Sequence, residues 1–315
     1  MKTHLYSVMS ELGAGTRGSS LGLEALQIAS LKYDRPFFHL RPVKQIETEN
    51  HRLYRPTQED HAKYLDGISM MYERIERELG SALEEKDHLP CVIAADHSNA
   101  GGTIAALKRA YPKSRLGVIW VDAHADLHSP FTSPSGHVHG MPLGSALGED
   151  NLENQQNEPG EEAIWHWNEM KGKTPRVRPE DIFFLGVRDT EAPEDKLMEK
   201  HHIPNLTVDQ CRELGMPTAA EKALNHLKDC DIIHLSFDVD SLDPIVSVGT
   251  GTPVDEGYTE EEARELLLHL VTDQRLAAFE MVEINPLLDM NGNSMAEAAF
   301  RILKPVVEKI EAQSP

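Results

Sequence analysis

Short apolar runs recur along this chain at residues 5–9, 91–95, 116–121, 182–187, 232–237 and 277–284. Segments of helical period fall between them, at 61–85, 100–111, 219–228, 260–270 and 295–309. The runs do not alternate apolar with polar positions, so each strand is expected to be buried on both faces. Strands buried in that way and separated by helices form a parallel sheet covered by helices. The expected fold is therefore α/β, a single domain over 1–315 built as a three-layer α/β/α sandwich with a mainly parallel sheet. No internal repeat or Pro/Ser linker divides the chain. The polar stretch 148–179 reads as a surface excursion with one short helix around 165–170.

Acidic residues outnumber basic ones by 52 to 31, which leaves a formal net charge of −21. A phosphate backbone or an anionic membrane surface repels such a chain, whereas a small cationic ligand is attracted to it. Neither nucleic acid nor membrane is an expected partner. Cys91, Cys211 and Cys230 form no C-x-x-C pair, and Cys91 lies in an apolar run. Reduced thiols in a cytoplasmic protein are the expectation. No segment approaches the roughly 18 apolar residues that span a bilayer, so neither insertion nor export is expected.

Near the N-terminus, Gly13-Ala14-Gly15-Thr16-Arg17-Gly18 fits the spacing of a dinucleotide-binding turn. That use requires an acidic residue closing the next strand, yet Asp34 precedes the apolar run 37–40 instead of ending it. A loop that needs glycine backbone freedom is the better reading.

The chemistry lies in three strand ends. Asp122, His124 and Asp126 follow the run 116–121 at i, i+2 and i+4, a spacing that puts all three on one side of an extended chain. Asp238 and Asp240 repeat the pattern after 232–237, and His97 follows 91–95. In an open parallel sheet the reactive groups gather beyond the carboxyl ends of the strands, so these ends converge in one cleft. Four carboxylates so placed repel one another unless cations neutralise them, which argues for two divalent ions. Oxygen-rich ligands with two imidazoles and no thiolate favour manganese, with cobalt, nickel or iron also admitted, over a structural zinc.

These segments resemble the G-G-D-H-S, D-A-H-x-D and S-x-D-x-D signatures of the arginase, agmatinase and formiminoglutamase superfamily. The first is altered here to Ala94-Ala95-Asp96-His97-Ser98, which keeps the ligand. The resemblance implies one ion on His97, Asp122, Asp126 and Asp238, and a second on Asp122, His124, Asp238 and Asp240. Asp122 and Asp238 would bridge, and Asp126 would also orient the water activated between the ions. A trimer or hexamer is the implied assembly.

Residues 132–142 are most similar to the bacterial arginase stretch T-S-P-S-G-N-x-H-G-M-P, and His139 matches the proton-shuttling histidine of that family. Glu283 matches the glutamate that pairs with the guanidinium group, and Thr252 a threonine of the glycine-rich loop lining the cleft. Arginases hold the α-carboxylate with two asparagines and a serine, where this chain has His128, His137 and Ser135. Glu191 stands at the position of the aspartate near the α-amino group, with Glu194 as a further acid. The implied substrate is a small cationic guanidino compound, L-arginine first. Agmatine, a shorter guanidino acid such as guanidinobutyrate, and a catalytically silent metal-binding homologue remain open.

Overall fold

The computed structural model describes residues 2–57, 59–84 and 88–313. Among these, β1 (Lys2–Val8), β2 (Val43–Gln45), β3 (His88–Ala94), β4 (Leu116–Val121), β5 (Ile182–Leu185), β6 (Asn205–Leu206), β7 (Ile232–Asp238) and β8 (Leu276–Val282) make one sheet. Its order is β2-β1-β3-β8-β7-β4-β5-β6, and every pairing is parallel.

Successive side chains of a strand point to opposite faces, and each face here has its own apolar layer. Ile119 and Val121 of β4 pack with Leu235, Phe237 and Phe279 beneath the helices Gly22–Tyr33, Met216–His226, Glu260–Leu270 and Ser294–Ala312. Val118 and Trp120 of the same strand face the helices Leu65–Leu83, Ala100–Ala110 and Pro142–Leu147. The result is the expected α/β/α sandwich, with every residue of β4 buried.

The edges hold the unexpected elements. β2 and β6 are 3 and 2 residues long, too short to register as apolar runs. Phe37–Leu40 forms a short helix rather than a strand, with the phenyl ring of Phe37 fully buried. The helix expected over 61–85 runs from Leu65 to Leu83, and residue 85 lies outside the described residues. The polar excursion contains a helix at Glu161–Lys171. Among the described residues no helix is long and apolar enough to cross a membrane.

What matters for function is adjacency. β3, β8, β7, β4 and β5 are neighbours and parallel, so all five release their chains at the same edge of the sheet. His97, Glu283, Asp238, Asp122 and Glu191 all lie on the segments released there.

Candidate metal centre

Five of the six residues expected as ligands form two overlapping clusters at that edge, and the sixth, Asp238, lies against His97. His97, Asp122 and Asp126 form one, and Asp122, His124 and Asp240 the other. Nδ1 of His97 lies 2.9 Å from Asp122 Oδ2, 3.2 Å from Asp126 Oδ2 and 3.1 Å from Asp238 Oδ2. Nδ1 of His124 lies 3.1 Å from Asp240 Oδ2 and 3.5 Å from Asp122 Oδ1. Asp122 thus turns one oxygen toward each imidazole. The segment bends rather than running extended: Asp126 takes a positive φ of 52°, which aims its carboxylate at the His97 cluster.

Neighbouring groups hold these side chains in place. His97 Nε2 is 2.8 Å from Ser236 Oγ, and its ring lies flat on Trp120, with centroids 3.9 Å apart. A hydrogen bond at the remote ring nitrogen fixes the tautomer and orientation of a ligating histidine. Asp238 Oδ1 accepts from the Asp240 N–H, and Thr252 Oγ1 donates to Asp240 Oδ2 at 3.0 Å. Backbone N–H groups of Leu143 and Gly144 donate to the Asp126 carbonyl and lock its left-handed conformation. Glu283 has the same unusual geometry, φ 69°, in a region that non-glycine residues seldom occupy.

Two observations show that this donor set fits metal ions. His97 Nδ1 and Asp122 Oδ2 are buried without a hydrogen-bond partner among the described residues, although only 2.9 Å separates them. Lone pairs that face one another without hydrogen-bond alignment are arranged as ligands of a shared cation. The second observation is electrostatic. Burial and neighbouring carboxylates raise Asp126, Asp238 and Asp240 above the usual carboxylate range. His97 and His124 are raised despite burial by the carboxylates facing them, while those imidazoles hold Asp122 low against its own burial. Without cations the cluster gathers protons, which is the demand two divalent ions would meet.

His139 stands beside the metal clusters, with Nδ1 3.6 Å from Glu283 Oε1. Burial alone would lower its pKa, but Glu283, with Asp126 and Asp96, raises it to about 9. Glu283 is buried, and its Oε1 also accepts from the His97 N–H at 3.0 Å.

The rim of the cleft, about 360 Å³ in volume, separates charge. On one wall His128 Nε2 lies 2.9 Å from Glu191 Oε2 and 3.4 Å from Glu194 Oε2, while its Nδ1 meets Thr132 Oγ1 at 3.1 Å. The His128 contact pulls Glu191 down to about 2, whereas burial pushes Glu194 up to about 7. His128 therefore sits with the two glutamates, and Ser135 and His137, the other positions expected at a carboxylate, line the same cleft. Elsewhere in the lining Ser135 Oγ accepts from the His137 N–H, and His137 Nε2 lies 3.3 Å from Lys63 Nζ. Burial, then Lys63, His139 and Arg17, push His137 down to about 4, so its ring is neutral at neutral pH.

The N-terminal glycine loop forms part of this wall instead of a nucleotide site. The Gly13 N–H donates to Asp96, its carbonyl accepts from the His139 N–H, and a Cβ at Gly13 would lie 2.6 Å from Ser98 Oγ. No spacing in the sequence points to a role for Ser236, Trp120 or Lys63. Ser236 was visible in the S-x-D-x-D motif, but nothing in the sequence pairs Lys63 with His137.

Comparison with known proteins agrees with this geometry. A family model described as the arginase family matches residues 2–307. A curated arginase of Bacillus subtilis is 31% identical over 301 residues, 95% of each chain. Among solved structures, an arginase from Bacillus subtilis superposes with a TM-score of 0.80 at 30% identity, covering 98% of both chains. An arginase from Entamoeba histolytica, solved in complex with L-ornithine, gives 0.81 at 25% identity, again over 98% of both.

Proposed function

The chain belongs to the arginase family, a family of hydrolases, and from that premise we propose that it cleaves L-arginine to L-ornithine and urea at a binuclear manganese centre. The observation that carries this reading is the pair of imidazole–carboxylate clusters sharing Asp122. One ion would be held by His97, Asp122, Asp126 and Asp238, and the other by Asp122, His124, Asp238 and Asp240. When bound, two divalent ions would lower the pKa of a water molecule enough to supply a nucleophile near neutral pH. Manganese suits the oxygen-rich donors, with cobalt, nickel or iron as substitutes.

The chain's own residues do the rest. Glu283 pairs with the substrate guanidinium and sets its plane, as acid–guanidinium pairs do. Asp126 accepts a hydrogen bond from the attacking water and so orients it. The C–N bond to the side chain breaks, and His139, which retains its proton beside Glu283, delivers that proton to the departing amine. Thr252 steadies Asp240. Glu191 and Glu194, with His128 between them, suit the α-ammonium, and Ser135 and His137 in the same lining suit the α-carboxylate. That charge-separated rim favours a zwitterionic amino acid over agmatine. A shorter guanidino acid is the second reading, favoured by the engagement of His128 with the glutamates.

The three cysteines are buried free thiols, which suits a reducing cytoplasm, and a trimer or hexamer is the assembly the family implies.

Two divalent ions per chain are expected, and their loading should release protons because His97, His124 and the raised aspartates give theirs up. Metal affinity should accordingly weaken as pH falls. Elemental analysis, anomalous scattering and calorimetry in buffers of different ionisation enthalpy measure this, together with the loss of urea release on chelation. One tetrahedral zinc per chain, or urea release that survives complete chelation, would contradict the proposal.

A further inference from the structure

The carboxylate wall of the rim lacks a charge of its own, because burial and its cationic neighbours hold His137 neutral. Lys63 supplies one. Its ammonium lies 3.3 Å from His137 Nε2, and among the described residues it forms no ion pair with a carboxylate. In a chain with 52 acidic and 31 basic residues, an ammonium without an acidic partner beside a binding cleft is an unspent charge. Lys63 is also held in place. Its N–H donates to the Gly136 carbonyl at 2.8 Å, tying residues 60–63 to the rim loop that carries Ser135 and His137. At Gly136, whose φ is +69°, a Cβ would fall 1.9 Å from the Asp60 carbonyl oxygen, so the two segments approach as closely as backbones can. With Nε2 accepting from Lys63, the ring proton of His137 sits on Nδ1, and the imidazole relays the lysine's charge to the cleft.

Resting on the arginase reading above, we infer that Lys63 is the residue that selects for a carboxylate on the substrate, acting through His137, which lines the cleft. The matching substrate class is a guanidino compound with a carboxylate at the end remote from the guanidinium. The acidic group in the same lining, Glu191 and Glu194 around His128, accommodates an ammonium at the same end. Arg17 adds positive field, although it is exposed and its Nη1 is engaged by the carbonyls of Glu11, Ala14 and Thr16.

The test compares Lys63→Met, which keeps the apolar stem and removes the charge, with Lys63→Arg, which keeps the charge. Binding of L-ornithine and of putrescine to the manganese-loaded protein is measured by calorimetry, because the two differ by the carboxylate alone. Lys63→Met should weaken ornithine roughly tenfold to a hundredfold, the effect of losing one charge-assisted hydrogen bond, and leave putrescine unchanged. Lys63→Arg should restore most of the difference. With arginine as substrate the loss should appear in KM more than in kcat. An ornithine-to-putrescine ratio that is the same in Lys63→Met and the wild type overturns the inference, as does a wild type that does not bind ornithine. If the ratio shifts as expected but arginine yields no urea, Lys63 keeps its role and the catalytic reading falls instead.

Discussion

Asp122→Asn is expected to strip the site of most of its metal and to lower kcat/KM for arginine by at least about a thousandfold. Among the described residues Asp122 is the one side chain that turns an oxygen to each imidazole, Oδ2 toward His97 and Oδ1 toward His124. An amide in its place keeps the size and can still accept from the His124 N–H, so the fold should survive. It removes the negative charge shared by both ions and presents an N–H where a lone pair is needed. Metal ions contribute several kcal/mol of charge stabilisation to such reactions, and about 1.4 kcal/mol corresponds to each factor of ten in rate. Metal content and kinetics measured on the same preparation decide the matter. Full occupancy with full turnover would remove Asp122 from the centre.

His139→Asn should separate proton delivery from metal binding. The imidazole faces Glu283 at 3.6 Å and touches none of the paired clusters, so both ions should remain. The loss of a positioned general acid costs about 10²–10⁴ in rate, and it should fall on kcat. The pH profile gives a second readout. Glu283 and Asp126 raise the His139 pKa, so the ring carries its proton on the acid side and gives it up as pH rises. Wild-type activity that depends on this proton should decline on the alkaline side, and the variant should lack that limb. A variant with full turnover across the pH range would assign the proton to another group.

Much of this cluster could be read from the sequence because its side chains are local to strand ends. Asp122, His124, Asp126, Asp238 and Asp240 follow apolar runs buried on both faces, and such runs end where a parallel sheet gathers its chemistry. β3, β4, β7 and β8 were legible for the same reason, each being almost wholly buried. β2 and β6 were not, because edge strands of 3 and 2 residues carry almost no pattern. The helix Gly22–Tyr33 carries as little signal: Ile28 and Leu31 are 62% and 57% exposed, which blurs the apolar stripe that marks a helix face. Contacts made across long stretches of chain were the least legible. Ser236 orients His97 from 139 residues away and Lys63 meets His137 across 74, and no spacing rule reaches that far. His128 illustrates the same limit. It meets Glu191 and Glu194, which come from the N-cap and the first turn of the helix Ala192–His201.

The central claim is that this protein hydrolyses a guanidinium group and that L-arginine is the preferred substrate. The direct measurement is kcat/KM for L-arginine, agmatine, guanidinobutyrate and formiminoglutamate, using the manganese-reconstituted protein and scoring urea or formamide together with the amine product. Urea and ornithine released from arginine, with a higher kcat/KM than for any other compound, is the predicted result. Formamide from formiminoglutamate, or urea from guanidinobutyrate or agmatine with arginine left intact, would contradict it.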